Sequence, residues 1–243
     1  PHICSGSSVQ FTNLSSGSST DTISNWQWSV PGGSPSTSTL FQPTVLFNIS
    51  DTITATLIAT NTGGCRDTVQ RQVMITPSPT ANFTAQSLCA GGQVSLQNNS
   101  STLPAGEVIN YNWSFTGGNP STSTDQLPNI SYTTAGTYNI RLITTAIGGC
   151  ADTLDRTLRV DPLPTANFNV PPVCFGNSVT LGNTSMPTVG DTIASYSWSI
   201  ENGSPATSVQ YRPLVNFTTI DTSTVQLIVT TVHGCKDTLT KEI

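Results

Sequence analysis

The feature that most constrains this chain is a period. Residues 110–123 read Asn110-Tyr111-Asn112-Trp113-Ser114-Phe115-Thr116-Gly117-Gly118-Asn119-Pro120-Ser121-Thr122-Ser123. Counterparts start 85 positions earlier, at Asn25-Trp26-Gln27-Trp28-Ser29-Val30-Pro31-Gly32-Gly33, and 85 positions later, at Ser195-Tyr196-Ser197-Trp198-Ser199-Ile200-Glu201-Asn202-Gly203. An aromatic, a Trp and a third apolar residue stand at i, i+2 and i+4, one face of a β-strand. The Gly-rich turn behind them ends that strand. The 243 residues therefore divide into three small units, expected at 1–78, 79–163 and 164–243, with a first strand missing from the first and the last strand of the third truncated.

Each unit repeats one strand plan. Val94 and Leu96 (Val9 and Phe11; Val179 and Leu181) alternate just after the first Cys, and the Trp strand follows. A short strand comes next, around 45–47, 129–132 and 215–217, then a long alternating one with Tyr138, Ile140 and Leu142 (Ile53, Ala55 and Leu57; Ser223, Val225 and Leu227). Gly64-Cys65, Gly149-Cys150 and Gly234-Cys235 close it before a last strand. Six or seven short strands with regular turns predict an all-β chain of three tandem immunoglobulin-like antiparallel sandwiches. Thr (40) and Ser (30) exceed a quarter of the residues, which favours strands and polar turns over helices. Pro77-Ser78-Pro79 and Pro162-Leu163-Pro164 are stiff joints leading into Ala-Asn-Phe strands. The mid-pattern start at Pro1 reads as a mature or excised segment of something longer, with strand donation by a neighbouring chain as an alternative source of the missing strand.

Six Cys fall at 4, 65, 89, 150, 174 and 235, one pair per unit and 61 positions apart within it. An even, periodic count predicts a disulfide framework in an oxidising, extracellular setting. The preferred pairing is within each unit, Cys4–Cys65, Cys89–Cys150 and Cys174–Cys235. The rival joins Cys65–Cys89 and Cys150–Cys174 across the unit boundaries. Trp28, Trp113 and Trp198 are expected as core residues packed on those cystines.

Nothing in the pattern assembles a catalyst. His2 and His233 stand outside the repeat pattern, and His233 reads as an exposed turn residue; Glu107, Glu201 and Glu242 form no repeated pair. No metal-ligand spacing and no cofactor motif is present. With a net charge of −5 and 8 Lys+Arg spread thinly, nucleic acid and anionic lipid are poor partners. No apolar run reaches the roughly 20 residues that span a bilayer, and no signal peptide opens the chain. One chemical signal remains. Seven of ten Asp precede Thr, and in six of these an Ile, Val or Leu follows. Local turn hydrogen bonds explain some of these. The motif also resembles a bacterial Asp-Ser/Thr-hydrophobic acceptor for O-linked glycans, which nominates Thr22, Thr52, Thr68, Thr153, Thr192 and Thr238.

Tyr111-x-Trp113-x-Phe115-x-Gly117-Gly118, Gly136-x-Tyr138-x-Ile140-x-Leu142 and Gly149-Cys150-x-Asp152-Thr153 together resemble the PKD (polycystic-kidney-disease-type) domain. The likeness is nearest to the cysteine-containing kind in large surface and secreted proteins of Bacteroidota. It covers all three units. Ser29, Ser114 and Ser199 replace the first acid of the family's Trp-Asp-Phe-Gly-Asp-Gly, so no calcium role is carried over. The resemblance implies a non-catalytic segment of an extracellular fibre, stalk or adhesin at a bacterial cell surface. Its expected partners are neighbouring repeats of the same or identical chains. The alternative is carbohydrate-binding or spacer modules accessory to a secreted hydrolase, with surface polysaccharide as ligand. That rival needs exposed aromatics in a row, for which Phe41, Phe175 and Tyr211 are free but read as unrelated by the period.

Overall fold

The computed structural model describes residues 2–103 and 108–243, and their regular elements are all strands. The main sheet of the second unit runs in the order Leu88–Cys89, Ala151–Asp161, Gly136–Ala146, Val108–Phe115, Thr122–Ser123. That of the first is His2–Cys4, Arg66–Thr76, Thr52–Asn61, Ile23–Ser29, Thr37–Ser38. The third has the same order without the outermost strand: Lys236–Glu242, Thr224–Thr231, Ile193–Ile200, Thr207–Ser208. The centre of each sheet is antiparallel, and the first strand joins the last in parallel, His2↔Met74 to Cys4↔Thr76 and Leu88↔Val160 to Cys89↔Asp161.

Period-2 alternation sets which faces are buried. Ile53, Ala55, Leu57 and Ala59 point inward from one long strand, and Val225, Leu227, Val229 and Thr231 from its equivalent. The Trp strand pairs with this strand in the same register each time: Trp28↔Leu57, Trp113↔Leu142, Trp198↔Leu227. Each indole N–H donates to a backbone carbonyl twelve residues on, at Leu40, Asp125 and Gln210 (3.1, 2.9 and 2.9 Å). The polar edge of a buried ring is thereby satisfied. The facing layer holds Ser8–Gln10, Thr44–Phe47 and Gly33–Ser34 in the first unit and Ser178–Thr180, Leu214–Phe217 and Gly203–Ser204 in the third. The second glycine of the turn is demanded by this layer: a Cβ on Gly33 would lie 2.3 Å from Val45 Cγ1, and one on Gly203 3.0 Å from Val215 Cγ1.

The all-β expectation, the Trp strand and the buried Trp28, Trp113 and Trp198 agree with the coordinates. The tryptophans pack on phenylalanines rather than on cystines. Phe83 meets Trp113 edge-on at 5.1 Å, Phe168 meets Trp198 at 5.2 Å, and Phe11 meets Trp28 at 5.5 Å.

The disulfide pairing differs from both arrangements expected. Cys4 bonds Cys150 and Cys89 bonds Cys235, each pair 146 residues apart, with Cα–Cα distances of 5.7 and 5.5 Å. That separation is one period plus the spacing within a unit. Cys65 and Cys174 are free and exposed. Sheet geometry gives the reason. Cys4 lies beside Thr76 at one end of the strand Arg66–Thr76, while Cys65 immediately precedes its other end. Eleven residues place those ends about 33 Å apart, whereas a disulfide needs Cα atoms within about 7 Å. Cys89 and Cys150 are separated in the same way by Ala151–Asp161. Neither Cys4–Cys65 nor Cys89–Cys150 can form, and Cys235 is already bonded to Cys89 rather than Cys174.

Candidate functional site

Because the two Cys of a unit sit at its opposite poles, each cystine clamps the foot of one unit to the head of the next. The first joint is built around Thr76. Its Oγ1 lies 3.0 Å from Cys150 Sγ and donates to the Ile3 carbonyl at 3.3 Å, and its own carbonyl accepts from Ser5 N–H at 2.9 Å. Gly148, at φ +89°, packs flat against it; a Cβ there would come within 2.4 Å of Thr76 Cγ2. Ser78 Oγ donates to the Ser5 carbonyl, tying the start of the second unit to the first. Cys150, Thr76 and Ser5 are all buried.

The second joint has the same plan with two residues exchanged together. Asp161 stands where Thr76 does, and His233 where Gly148 does. His233 Nδ1 lies 3.0 Å from Asp191 Oδ1 and 3.9 Å from Asp161 Oδ1. Asp161 also pairs with Arg159 at 2.5 Å and is buried. His233 is the exposed turn residue expected, and its ring also meets a carboxylate of its own unit at hydrogen-bond distance, with one from the preceding unit standing farther off. Asp191 is buried, which pushes its carboxyl upward. Hydrogen bonds from the Thr192 amide, the Thr231 hydroxyl and His233 outweigh this and leave it below the usual 3.8.

Two of the Asp-Thr motifs belong to these joints as well. Asp152 Oδ2 accepts from Ala81 N–H at 2.8 Å, and Asp237 Oδ2 from Ala166 N–H at 2.7 Å. Both pin the strand that enters the unit from the Pro-x-Pro stretch. Asp51, Asp67, Asp191 and Asp237 accept from the following Thr N–H at 2.7–2.8 Å, so the turn reading of the motif holds at these positions. The six nominated Thr residues, Thr22, Thr52, Thr68, Thr153, Thr192 and Thr238, are all exposed. Among the described residues no three His, Cys, Asp or Glu side chains gather as a metal site. No helix among them is long and apolar enough to cross a membrane. Glu107 lies outside the described residues, and Glu201 caps the Thr224 N–H at 3.1 Å.

The structure corrects one further reading. Phe41 and Tyr211 are related by two periods, and each packs edge-on against the outer aromatic of its Trp strand. Trp26–Phe41 centroids lie 5.1 Å apart and Tyr196–Tyr211 centroids 5.3 Å. Subtracting 170 from the residue number would have found this match. Gln126 takes the place in the second unit, which hid the pattern from a comparison of adjacent repeats.

The PKD domain family matches residues 76–161. The chain is 35% identical over 129 residues to pre-pro-metalloprotease PrtV of Vibrio cholerae serotype O1, an overlap of 52% of this chain and 13% of that protein. The PKD1 domain of Vibrio anguillarum Epp is 37% identical, with 34% of this chain and 93% of that domain covered and a TM-score of 0.30. The PKD1 domain of the Vibrio cholerae metalloprotease PrtV is 38% identical, with 35% and 98% covered and a TM-score of 0.30. With its Trp strand, Gly-rich turn and sandwich in place, the chain belongs to the PKD domain family.

Proposed function

We propose that this chain is a non-catalytic spacer, part of an extracellular fibre, stalk or adhesin at a bacterial cell surface, whose three units at 1–78, 79–163 and 164–243 carry tension as one piece. The observation that supports this reading most directly is the paired cystines Cys4–Cys150 and Cys89–Cys235, which link consecutive units covalently. A cross-link over 146 residues is worth about 5 kcal/mol in the chain-entropy treatment. Placed between units, it opposes bending and separation at the joint. Disulfides of this kind persist outside the reducing cytosol. Immunogold labelling of the source cells with an antibody to the chain tests the reading: label outside the envelope is expected, and label confined to the cytoplasm overturns it.

The exposed hydroxyls of Thr22, Thr52, Thr68, Thr153, Thr192 and Thr238 support O-glycosylation of the same surface. Native material is expected to weigh more than the bare sequence; a mass matching the sequence less the disulfide hydrogens removes the idea. A second reading draws on Trp26–Phe41 and Tyr196–Tyr211, whose half-exposed rings could stack on sugar, as in an accessory module of a secreted hydrolase. The PKD domains of PrtV belong to a metalloprotease precursor, which favours such an accessory placement. Binding of the recombinant chain on a polysaccharide array, lost in W26A/F41A/Y211A, would favour this reading; no binding would leave the spacer alone.

A further inference from the structure

The two cystines share one build and have different neighbours. In each, the foot sulfur belongs to a half-buried residue, Cys4 or Cys89, and the head sulfur to a buried one, Cys150 or Cys235. A thiolate arriving from solvent therefore strikes Cys4 or Cys89, and Cys150 or Cys235 departs as the new thiolate. What that thiolate meets differs between the joints. Thr76 Oγ1 stands 3.0 Å from Cys150 Sγ and carries one hydrogen, which serves the Ile3 carbonyl at 3.3 Å while the cystine is intact. Rotation about the Cβ–Oγ1 bond turns that hydrogen onto Cys150 Sγ, where an anion holds it more strongly than a neutral carbonyl does. At the second joint Asp161 takes the place of Thr76. Its carboxylate, paired with Arg159, only accepts and has no hydrogen to give. Cys235 Sγ meets the Asp161 carbonyl oxygen at 4.0 Å, another acceptor.

We propose that Cys4–Cys150 is a thiol-reactive disulfide, opened by small monothiols of the glutathione class before Cys89–Cys235, so that the first joint is the one that yields to a reductant. The thiolate of the small thiol forms a bond to Cys4 Sγ, the Cys4–Cys150 bond breaks, and its electron pair stays on Cys150 Sγ. A second small thiolate then attacks the mixed disulfide and releases the Cys4 thiolate with the oxidised small disulfide. In all, the cystine takes up two electrons and two protons from two small thiols. A leaving thiolate that is better stabilised departs faster, and the Thr76 hydroxyl supplies that stabilisation at Cys150 alone. The two joints of one array thus differ in chemistry although they share a geometry: exposure to thiols frees the first while the second stays clamped. This inference rests on the surroundings of the sulfurs and not on where the chain resides, so its failure would leave the surface-labelling experiment untouched.

The test uses the full chain with C65S and C174S, which removes the two exposed free thiols from the exchange. Reduced glutathione is added in excess, samples are alkylated at intervals, and peptide mapping follows each cystine. Glutathione on Cys4 with alkylated Cys150 is expected to appear at least about fivefold sooner than the corresponding products of Cys89–Cys235. T76V keeps the branched shape without the hydroxyl and should slow the first joint to the pace of the second. D161T should quicken the second joint, and D161V, which removes the carboxylate without supplying a hydroxyl, should not. Thermal unfolding of the oxidised variants verifies that each is folded before its rate is read. Equal rates at the two joints of the parent, a T76V rate that does not fall, glutathione on Cys150 in place of Cys4, or D161V as quick as D161T would each overturn the proposal.

Discussion

Asp237 and Asp67 occupy the same place in two units and differ in one contact. Both accept from the next Thr N–H at 2.8 Å, but only Asp237 also holds the amide of an entering strand, Ala166 N–H at 2.7 Å. A hydrogen bond to a charged acceptor is worth about 1.5–3 kcal/mol, reduced here by partial exposure. Asp237→Ala is therefore expected to cost about 1–2 kcal/mol more than Asp67→Ala, read from urea unfolding; equal losses would show that the amide contact contributes nothing. Acid sensitivity is expected from Asp191 and Asp155. Asp155 is held low by hydrogen bonds from Arg141 and Asn139, and Asp191 by the amide, hydroxyl and imidazole around it despite burial. A carboxyl whose folded value lies below 3.8 stabilises the fold fully above that pH and loses its contribution as pH falls through the folded value. Unfolding free energy should then be level near neutrality and decline below about pH 4. Asp191→Asn should flatten that decline, and an unchanged pH profile in the variant would contradict the assignment.

Strands were the most legible part of the chain, because their signals are local. The alternation of Tyr111, Trp113 and Phe115 needs no knowledge of partners, and the same residues define the buried face. The turn glycines were legible as breaks, but their packing role was not, since it depends on Val45 and Ile130 arriving from the facing layer. Disulfide pairing was misread for a physical reason. Spacing along the chain says which cysteines repeat, while bonding depends on which pole of the sheet each occupies. The placement of Cys65 in a turn and of Cys4 beside the far end of the next strand was the usable clue. His233 and Asp161 were legible only as a joint departure from the Gly148 and Thr76 of the preceding repeat. The tight fit at that earlier joint gives an expectation. Gly148→Ala adds a Cβ 2.4 Å from Thr76 Cγ2 on a residue at φ +89°, and should destabilise the chain by about 1–3 kcal/mol. Gly64→Ala shares a positive φ, +86°, with nothing within 4 Å of the added Cβ, and should lose less. Equal losses, judged by thermal unfolding, would mean that backbone strain and not the joint sets the effect.

The three units form a chain of covalently coupled beads, in which the interfaces matter as much as the cores. Stability in such an array is the sum of unit and neighbour terms, and here each neighbour term includes a cystine. The cores account for the Trp strand and the sandwich, and the joints for the Cys, the Gly-Cys turns and two of the seven Asp-Thr motifs. Proteolytic mapping of the non-reduced chain tests this directly. Peptides linked through Cys4–Cys150 and Cys89–Cys235 are expected, with Cys65 and Cys174 recovered as alkylated thiols. Recovery instead of Cys4–Cys65, Cys89–Cys150 and Cys174–Cys235 would close each unit on itself and remove the clamp between them.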